Sequence, residues 1–341
     1  MARLTGNGEL TITCRNRHCP KCQEDRAQNW LERLLSRLLP CDHYLITFTL
    51  PCQLRPVARS HQQQVYPMLL REAAASVQTL AHDRSWVGGT PGILAVLHTW
   101  SRTLRYHPHV HLLVTAGGLS ADGTAWVKLA RPRFLMPAYA LSEIFRAKMH
   151  HALARAGLNR HIDPKTWIRP WTLQIQQVGR GGHAARYLSR YVYRVALTNH
   201  RLERFEHGHV TFRYTHSRTR HTRHLTLPVD VFIARFLQHV LPRGFTKIRS
   251  YGLMSPSRRN DLERARRLLQ LHSASTGHPV PSGALLRGTA DRESDASDAK
   301  PGSVTTTTIP VANPSVLRCR VCHGTSMRLV HRYRPSRAPP W

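Results

Sequence analysis

The chain has 341 residues, 41% of them hydrophobic, enough to bury a core in one large domain or two ordinary ones. It carries 50 Lys and Arg against 19 Asp and Glu, a formal charge of +31; six of the 50 are lysines (Lys21, Lys128, Lys148, Lys165, Lys247, Lys300), leaving 44 arginines. The guanidinium fork matches pairs of phosphate oxygens, so the excess points to a nucleic-acid backbone as partner and away from a membrane, for which no run approaches the ~20 apolar residues of a span.

The N-terminal "MARLTGNGELTITC" has no secretory apolar region. "CRNRHCPKC" follows, placing Cys14, Cys19 and Cys22 among Arg15, Arg17 and Lys21. Three thiolates need a fourth ligand to close a structural zinc site, and His18, Cys41 or the distant "CRVCH" (Cys319, Cys322, His323) are the candidates. "CRVCH" also fits a c-type haem attachment, which a basic cytoplasmic protein does not favour. Seven cysteines, five of them in such clusters, read as a reducing, cytoplasmic setting without a disulfide framework.

Residues 24–39 have helical spacing through Trp30, Leu31, Leu34, Leu35 and Leu38, ended by Pro40. "HYLITFTLP" (43–51) predicts a strand and 61–82 a helix. "GILAVLHTWS" (92–101) and "HPHVHLLVTAGG" (107–118) are strands joined by the short link "RTLRY", and so a hairpin. Helices are expected at 139–156, 183–192 and 229–241, with strands at 171–178, 209–215, 222–228 and 245–251. From 273 to 316 the chain turns to Ser, Thr, Pro, Gly, Ala and Asp without an aromatic residue, which predicts a disordered linker before a basic tail at 317–341.

The chemistry begins at "YHPHVHLLVTAGGLS". A period of two sends His109 and His111 to one face and Val110, Leu112 and Val114 to the other. A buried face rarely holds two imidazoles unless something satisfies them, and a metal ion is the obvious candidate. His98, eleven residues ahead of His109, faces the pair if the two strands are antiparallel. Three ligands with open positions describe a catalytic rather than a structural metal centre. His107 shares the parity but precedes Pro108 at the strand entrance, which suits a supporting or DNA-contacting group.

In "ARYLSRYVYRVAL", Tyr187 and Tyr191 are four apart and share a helical face, while Tyr193 lies roughly opposite. Arg186, Arg190 and Arg194 follow the same spacing as a neighbouring basic ridge. A phenol of pKa ~10 becomes a useful nucleophile at neutral pH when a cation stabilises the phenolate or a base takes its proton. The preceding loop "VGRGGHAAR" is either an ordinary turn or a place where backbone N–H groups approach a phosphate. Trp100, Tyr106 and Trp171 are candidates for stacking on bases.

"CRNRHCPKCQ", "YLITFTLP", "HPHVHLLVTAGGLS", "YLSRYVYRVALTN", "VTFRYT" and "FLQHVLPRGFTKIRSYGL" follow one another between residues 11 and 272. In this order they resemble the rolling-circle transposases of the insertion sequence 91 family, whose two-tyrosine nucleases carry a histidine–hydrophobe–histidine (HUH) motif. The resemblance implies an α+β fold, an antiparallel sheet flanked by helices with the histidine pair on a central strand. It also implies a small zinc-binding N-terminal module over 1–40 and a catalytic domain over 41–272. His109 and His111 then hold Mg²⁺ or Mn²⁺, Tyr187 and Tyr191 are nucleophiles, and Arg190 stands where related replication initiators often carry lysine. His98 as third ligand comes from the strand pairing, and agrees with the third histidine of related relaxases. Family members continue upstream with another cysteine pair, so an N-terminally truncated chain with an incomplete zinc site is expected.

The function expected is metal-dependent tyrosine transesterification of single-stranded DNA at transposon ends, through a 5′-phosphotyrosine. The alternatives are a truncated, non-catalytic DNA-binding transposase remnant and a phosphohydrolase that uses water. Oligomeric state is not legible in the residues.

Overall fold

The computed structural model describes residues 2–4, 10–12 and 24–275 except 161, 193–195, 198–200, 217, 218 and 220; side chains are described from 26 to 271, except those of 190–192. Cys14, Cys19, Cys22, His18, Arg194, Cys319, Cys322 and His323 lie outside the described residues, as do the tail and all but the first residues of the expected linker.

In chain order the elements are β1 (Ala2–Leu4), β2 (Leu10–Ile12), α1 (Glu24–Arg37), β3 (His43–Thr49), α2 (Arg55–Ser60), α3 (Gln62–Ala81), β4 (Gly92–Trp100), β5 (Tyr106–Thr115), β6 (Gly118–Leu119) and β7 (Trp126–Val127). There follow α4 (Ala138–Arg155), β8 (Leu173–Gln177), α5 (Gly182–Val192), β9 (Leu202–Glu206), β10 (His209–Thr215), β11 (Thr222–Pro228), α6 (Val229–Leu237), β12 (Ile248–Gly252) and α7 (Arg259–Ser275). β1 and β2 form an antiparallel pair that belongs to one compact unit; residues 16–280 make up another.

Five strands in the order β12-β4-β5-β3-β8 form the central sheet, every pairing antiparallel. β4 and β5 are interior strands, and all nine residues of β4 are buried, so "GILAVLHTW" reads as an apolar run rather than an alternation. Strand alternation still sorts the side chains by face. Ile46, Phe48, Ile93, Ala95, Leu97, Val110, Leu112 and Val114 pack with Leu69, Leu70 and Ala73 of α3 and with Leu141, Phe145 and Met149 of α4. Leu94, Val96 and Leu113 face the other way, onto Leu31 and Leu34 of α1, Ala185 and Leu188 of α5, and Leu262, Ala265 and Leu269 of α7. The result is an α+β sandwich with the sheet between two helical layers. Complete burial of each large aliphatic or aromatic side chain contributes roughly 1.5–3 kcal/mol.

A second, three-stranded antiparallel sheet, β11-β10-β9, lies beyond the β4–β5 hairpin. Phe212 and Leu227 from it, Trp100 and Leu104 from the hairpin, and Phe232 and Phe236 from α6 share a small core.

The differences from the sequence expectations are local. The helix expected over 61–82 is preceded by a separate turn of helix, α2, whose last residues run into His61. The strand expected to reach residue 118 ends at Thr115; at Gly117 φ is +135°, and 118–119 pair instead with 126–127. β9 and α7 are not among the elements expected from the residues. "LERFE" in β9 is exposed throughout and so has no apolar alternation, whereas α7 buries Leu262, Ala265 and Leu269 at helical spacing.

Candidate active site

The β4–β5 register sets His98 opposite His109 and Val96 opposite His111. All three histidines lie on the face covered by α1, α5 and α7, beyond the end of its apolar packing. Ring centroids are 5.3 Å apart for His98 and His109, 4.7 Å for His98 and His111, and 4.9 Å for His109 and His111. One donor atom from each lies within 4.8 Å of the others.

Neighbours fix the rings. His109 Nδ1 sits 2.7 Å from the His107 carbonyl, which can only accept, so the proton is on Nδ1 and Nε2 keeps its lone pair. His111 Nδ1 pairs with Thr47 Oγ1 at 2.9 Å, and its buried Nε2 has no hydrogen-bond partner. Trp100 stacks on His98 at 4.9 Å with planes 19° apart. Hydrogen-bonded imidazoles that present a second nitrogen inward are how metal-ligating histidines are oriented, so the residues fit a divalent cation.

Burial disfavours the charged rings. It holds His98 well below its ordinary pKa, His109 at about 4 and His111 at about 3, with repulsion among the imidazoles adding to the effect. All three are neutral at pH 7, the form that coordinates metal. His98 and His111 are buried and His109 is half-buried, which leaves the cluster an approach from outside.

α5 supplies the phenol. Ala184, Ala185 and Leu188 are buried while Arg186 and Tyr187 face outward. The Tyr187 ring lies 6.0 Å from that of His111, nearly perpendicular, and is 42% exposed. Tyr191 and Arg190 are one helical turn along and their side chains are not among those described. The preceding loop is a turn in which Gly181 has φ +78° and its α-carbon abuts the buried His43 ring; a Cβ there would meet that ring at 3.0 Å. The turn thus sets where α5 starts.

His107 is half-buried, and its Nδ1 lies 2.8 Å from Arg55 Nη2. Arg55 was not anticipated, having no pattern in the sequence. Thr47 was also missed, although a polar residue inside "HYLITFTLP" was the available signal. Two stacking candidates are corrected. Trp171 is 5% exposed, packs on Phe145 and donates Nε1–H to the Thr166 carbonyl, so it is core. Trp100 is 8% exposed and serves His98 rather than a base. Tyr106 is half-buried with its hydroxyl 2.8 Å from that of Tyr66. Cys41 is half-buried, and burial pushes its thiol up to about 12.

Two domain families and two curated proteins are similar to the chain. The domain family described as "Putative transposase" matches residues 92–261, which include all three histidines and both tyrosines, and a "Transposase zinc-binding domain" of the IS91 type matches 7–50. The chain is 36% identical over 264 residues to "Putative transposase y4qJ" of Sinorhizobium fredii (strain NBRC 101917 / NGR234), covering 71% of this chain and 66% of that protein. It is 29% identical over 262 residues to "Transposase for insertion sequence element IS801" of Pseudomonas savastanoi pv. phaseolicola, covering 72% and 62%. The chain thus spans a little under two thirds of the length of these curated relatives. No solved structure matches it. Among the described residues no helix is long and apolar enough to cross a membrane.

Proposed function

The chain belongs to the insertion sequence 91 family of transposases, and on that premise we propose that it is a DNA transposase whose 41–272 core nicks and rejoins single-stranded DNA at transposon ends. The observation that carries the reading is the approach of a partly exposed phenol, Tyr187, to a cluster of three neutral imidazoles. His98, His109 and His111 would hold Mg²⁺ or Mn²⁺, which would supply Lewis-acid polarisation of the scissile phosphate.

The chain's own groups do the rest. Tyr187 Oη forms a bond to phosphorus as the bond from phosphorus to the 3′ oxygen breaks, leaving a 5′-phosphotyrosine and a free 3′-hydroxyl. The phenol's proton ends on the departing 3′ oxygen, so atoms and charge balance and the linkage energy is retained for rejoining. Thr47 and the His107 carbonyl hold the imidazoles against rotation. Arg186, exposed on α5, adds positive charge to the helix that carries the phenol. Tyr191, one turn further along the same helix, serves as the second nucleophile, and Arg190 and Arg194 are proposed DNA contacts from their spacing in the sequence. Cys14, Cys19 and Cys22 fall inside the matched zinc-binding segment and would hold a structural Zn²⁺.

Incubation with a labelled single strand carrying a transposon end, with Mn²⁺, followed by SDS electrophoresis, tests this. The transesterase gives a protein–DNA adduct that survives SDS. Nicks without an adduct mean that water is the nucleophile, and neither product means a non-catalytic DNA-binding remnant; both outcomes overturn the proposal.

A further inference from the structure

Beside the histidine cluster lies a cavity of about 510 Å³, walled by Arg55 of α2, Arg105 of the β4–β5 link, His107 of β5, Tyr214 of β10, Leu225 of β11 and Arg235 of α6. Its size falls within the range of small-molecule and nucleotide sites. Three guanidinium groups line it and no carboxylate does. The lining also includes an aromatic ring, Tyr214, and an aliphatic side chain, Leu225, which suit the face of a base rather than a second phosphate.

His107 links this cavity to the cluster. A guanidinium only donates, so Arg55 Nη2 donates to His107 Nδ1, and a neutral His107 ring carries its proton on Nε2. The same residue's carbonyl holds His109 Nδ1, and the two rings are 5.4 Å apart. Whatever occupies the cavity is therefore one side chain away from the histidine cluster.

The cavity also draws on the second sheet. Tyr214, Leu225 and Arg235 come from the β9–β11 sheet and α6, which the histidine cluster does not use. Arg235 is steadied against the hairpin link by its Nη1, 3.3 Å from the Thr103 carbonyl.

We infer that this cavity is a nucleotide subsite, which seats one nucleotide of the single strand with its phosphate against Arg55, Arg105 and Arg235 and its base against Tyr214 and Leu225. The inference rests on the proposed passage of a single strand across the histidine cluster. The second sheet then grips the strand next to the cut, so that the scissile phosphate is held in register.

The test uses the full chain and a fluorescein-labelled dT8 strand, its binding followed by anisotropy in EDTA, where no cleavage occurs. The variant Arg105→Gln/Arg235→Gln should weaken binding about 10-fold or more. Its plot of log affinity against log salt should flatten by roughly 0.7, the share of one phosphate contact on a single strand. Arg84→Gln/Arg155→Gln removes the same charge from the α3–α4 side of the sheet and should change affinity less than 3-fold. Arg105→Lys/Arg235→Lys, which keeps the charge, should recover part of the loss and guards against a folding defect. Thymidine monophosphate should displace the strand at concentrations where inorganic phosphate does not. Equal losses from the two glutamine pairs, or equal displacement by phosphate alone, overturn the subsite. Adduct formation with Mn²⁺ is scored separately. A selective arginine effect without adduct keeps the subsite and removes the transesterase, and adduct without a selective effect does the reverse.

Discussion

Thr47 and His111 face each other across the β3–β5 pairing, and the threonine hydroxyl lies 2.9 Å from the imidazole Nδ1. That contact leaves the ring's Nε2, buried and without a hydrogen-bond partner, as the atom offered to the cluster. Thr47→Val keeps the shape and removes the oxygen. Loss of such a supporting hydrogen bond costs roughly 10- to 100-fold in metal affinity. Mn²⁺ titration by calorimetry should show a loss in that range with the fold intact; unchanged affinity would mean that packing alone orients His111.

Only the folded chain brings the three imidazoles together, so a divalent cation held by them should raise the melting temperature through linkage. The gain is about 2.7 kcal/mol at a hundred times the dissociation constant. His111→Leu should abolish the Mn²⁺-dependent rise while still giving a cooperative transition in EDTA, because leucine fills the site without an orphaned nitrogen. A full Mn²⁺ response in this variant would place the cation elsewhere.

Much of the site was readable because it depends on strand parity. His109 and His111 share a face in any extended strand, and the five-residue link forces the hairpin that brings His98 to them. What supports the cluster was less readable: Thr47 shows only as a polar residue inside an apolar strand, Arg55 has no local signature, and both reach the cluster through long-range pairings. β3 meets β5 across more than sixty residues of chain, and Arg55 meets His107 across 52. The aromatic candidates failed for a related reason. Trp100 and Trp171 have the composition of stacking residues, but burial beneath His98 and Phe145 decides their role, and burial is a tertiary property.

Acid should unfold the metal-free protein early. His43, His109 and His239 are held at about 4 and His111 at about 3, chiefly by burial, with His98 also well below its ordinary value. The unfolded chain takes up protons near pH 6.5, while the folded chain resists to about 4. Stability is thus complete above pH 6.5 and falls as the pH drops toward 4, by about 1.4 kcal/mol per pH unit for each such histidine. Melting temperatures in EDTA should be level between pH 7 and 8 and decline steeply from 6.5 to 4.5. A flat profile over that range would mean that these rings take protons without unfolding.

Gly181 carries the mechanical link between the sheet and the tyrosine helix. Its φ of +78° disfavours any L side chain by about 1–2 kcal/mol. An added Cβ would also press on the His43 ring at 3.0 Å, and that ring is 1% exposed and has no room to retreat. The easier adjustment is at the start of α5, one residue on, which moves Tyr187 relative to His111. Gly181→Ala should therefore lower the melting temperature by several degrees and reduce adduct formation more than 10-fold. Mn²⁺ affinity, set by β4 and β5, should stay within 2-fold of the parent. Tyr187→Phe provides the comparison, with stability and metal binding unchanged and adduct lost at the first cleavage. If Gly181→Ala weakens the metal site as much as it weakens the adduct, the histidines and the tyrosine helix move as one body and the turn does not set the distance between them.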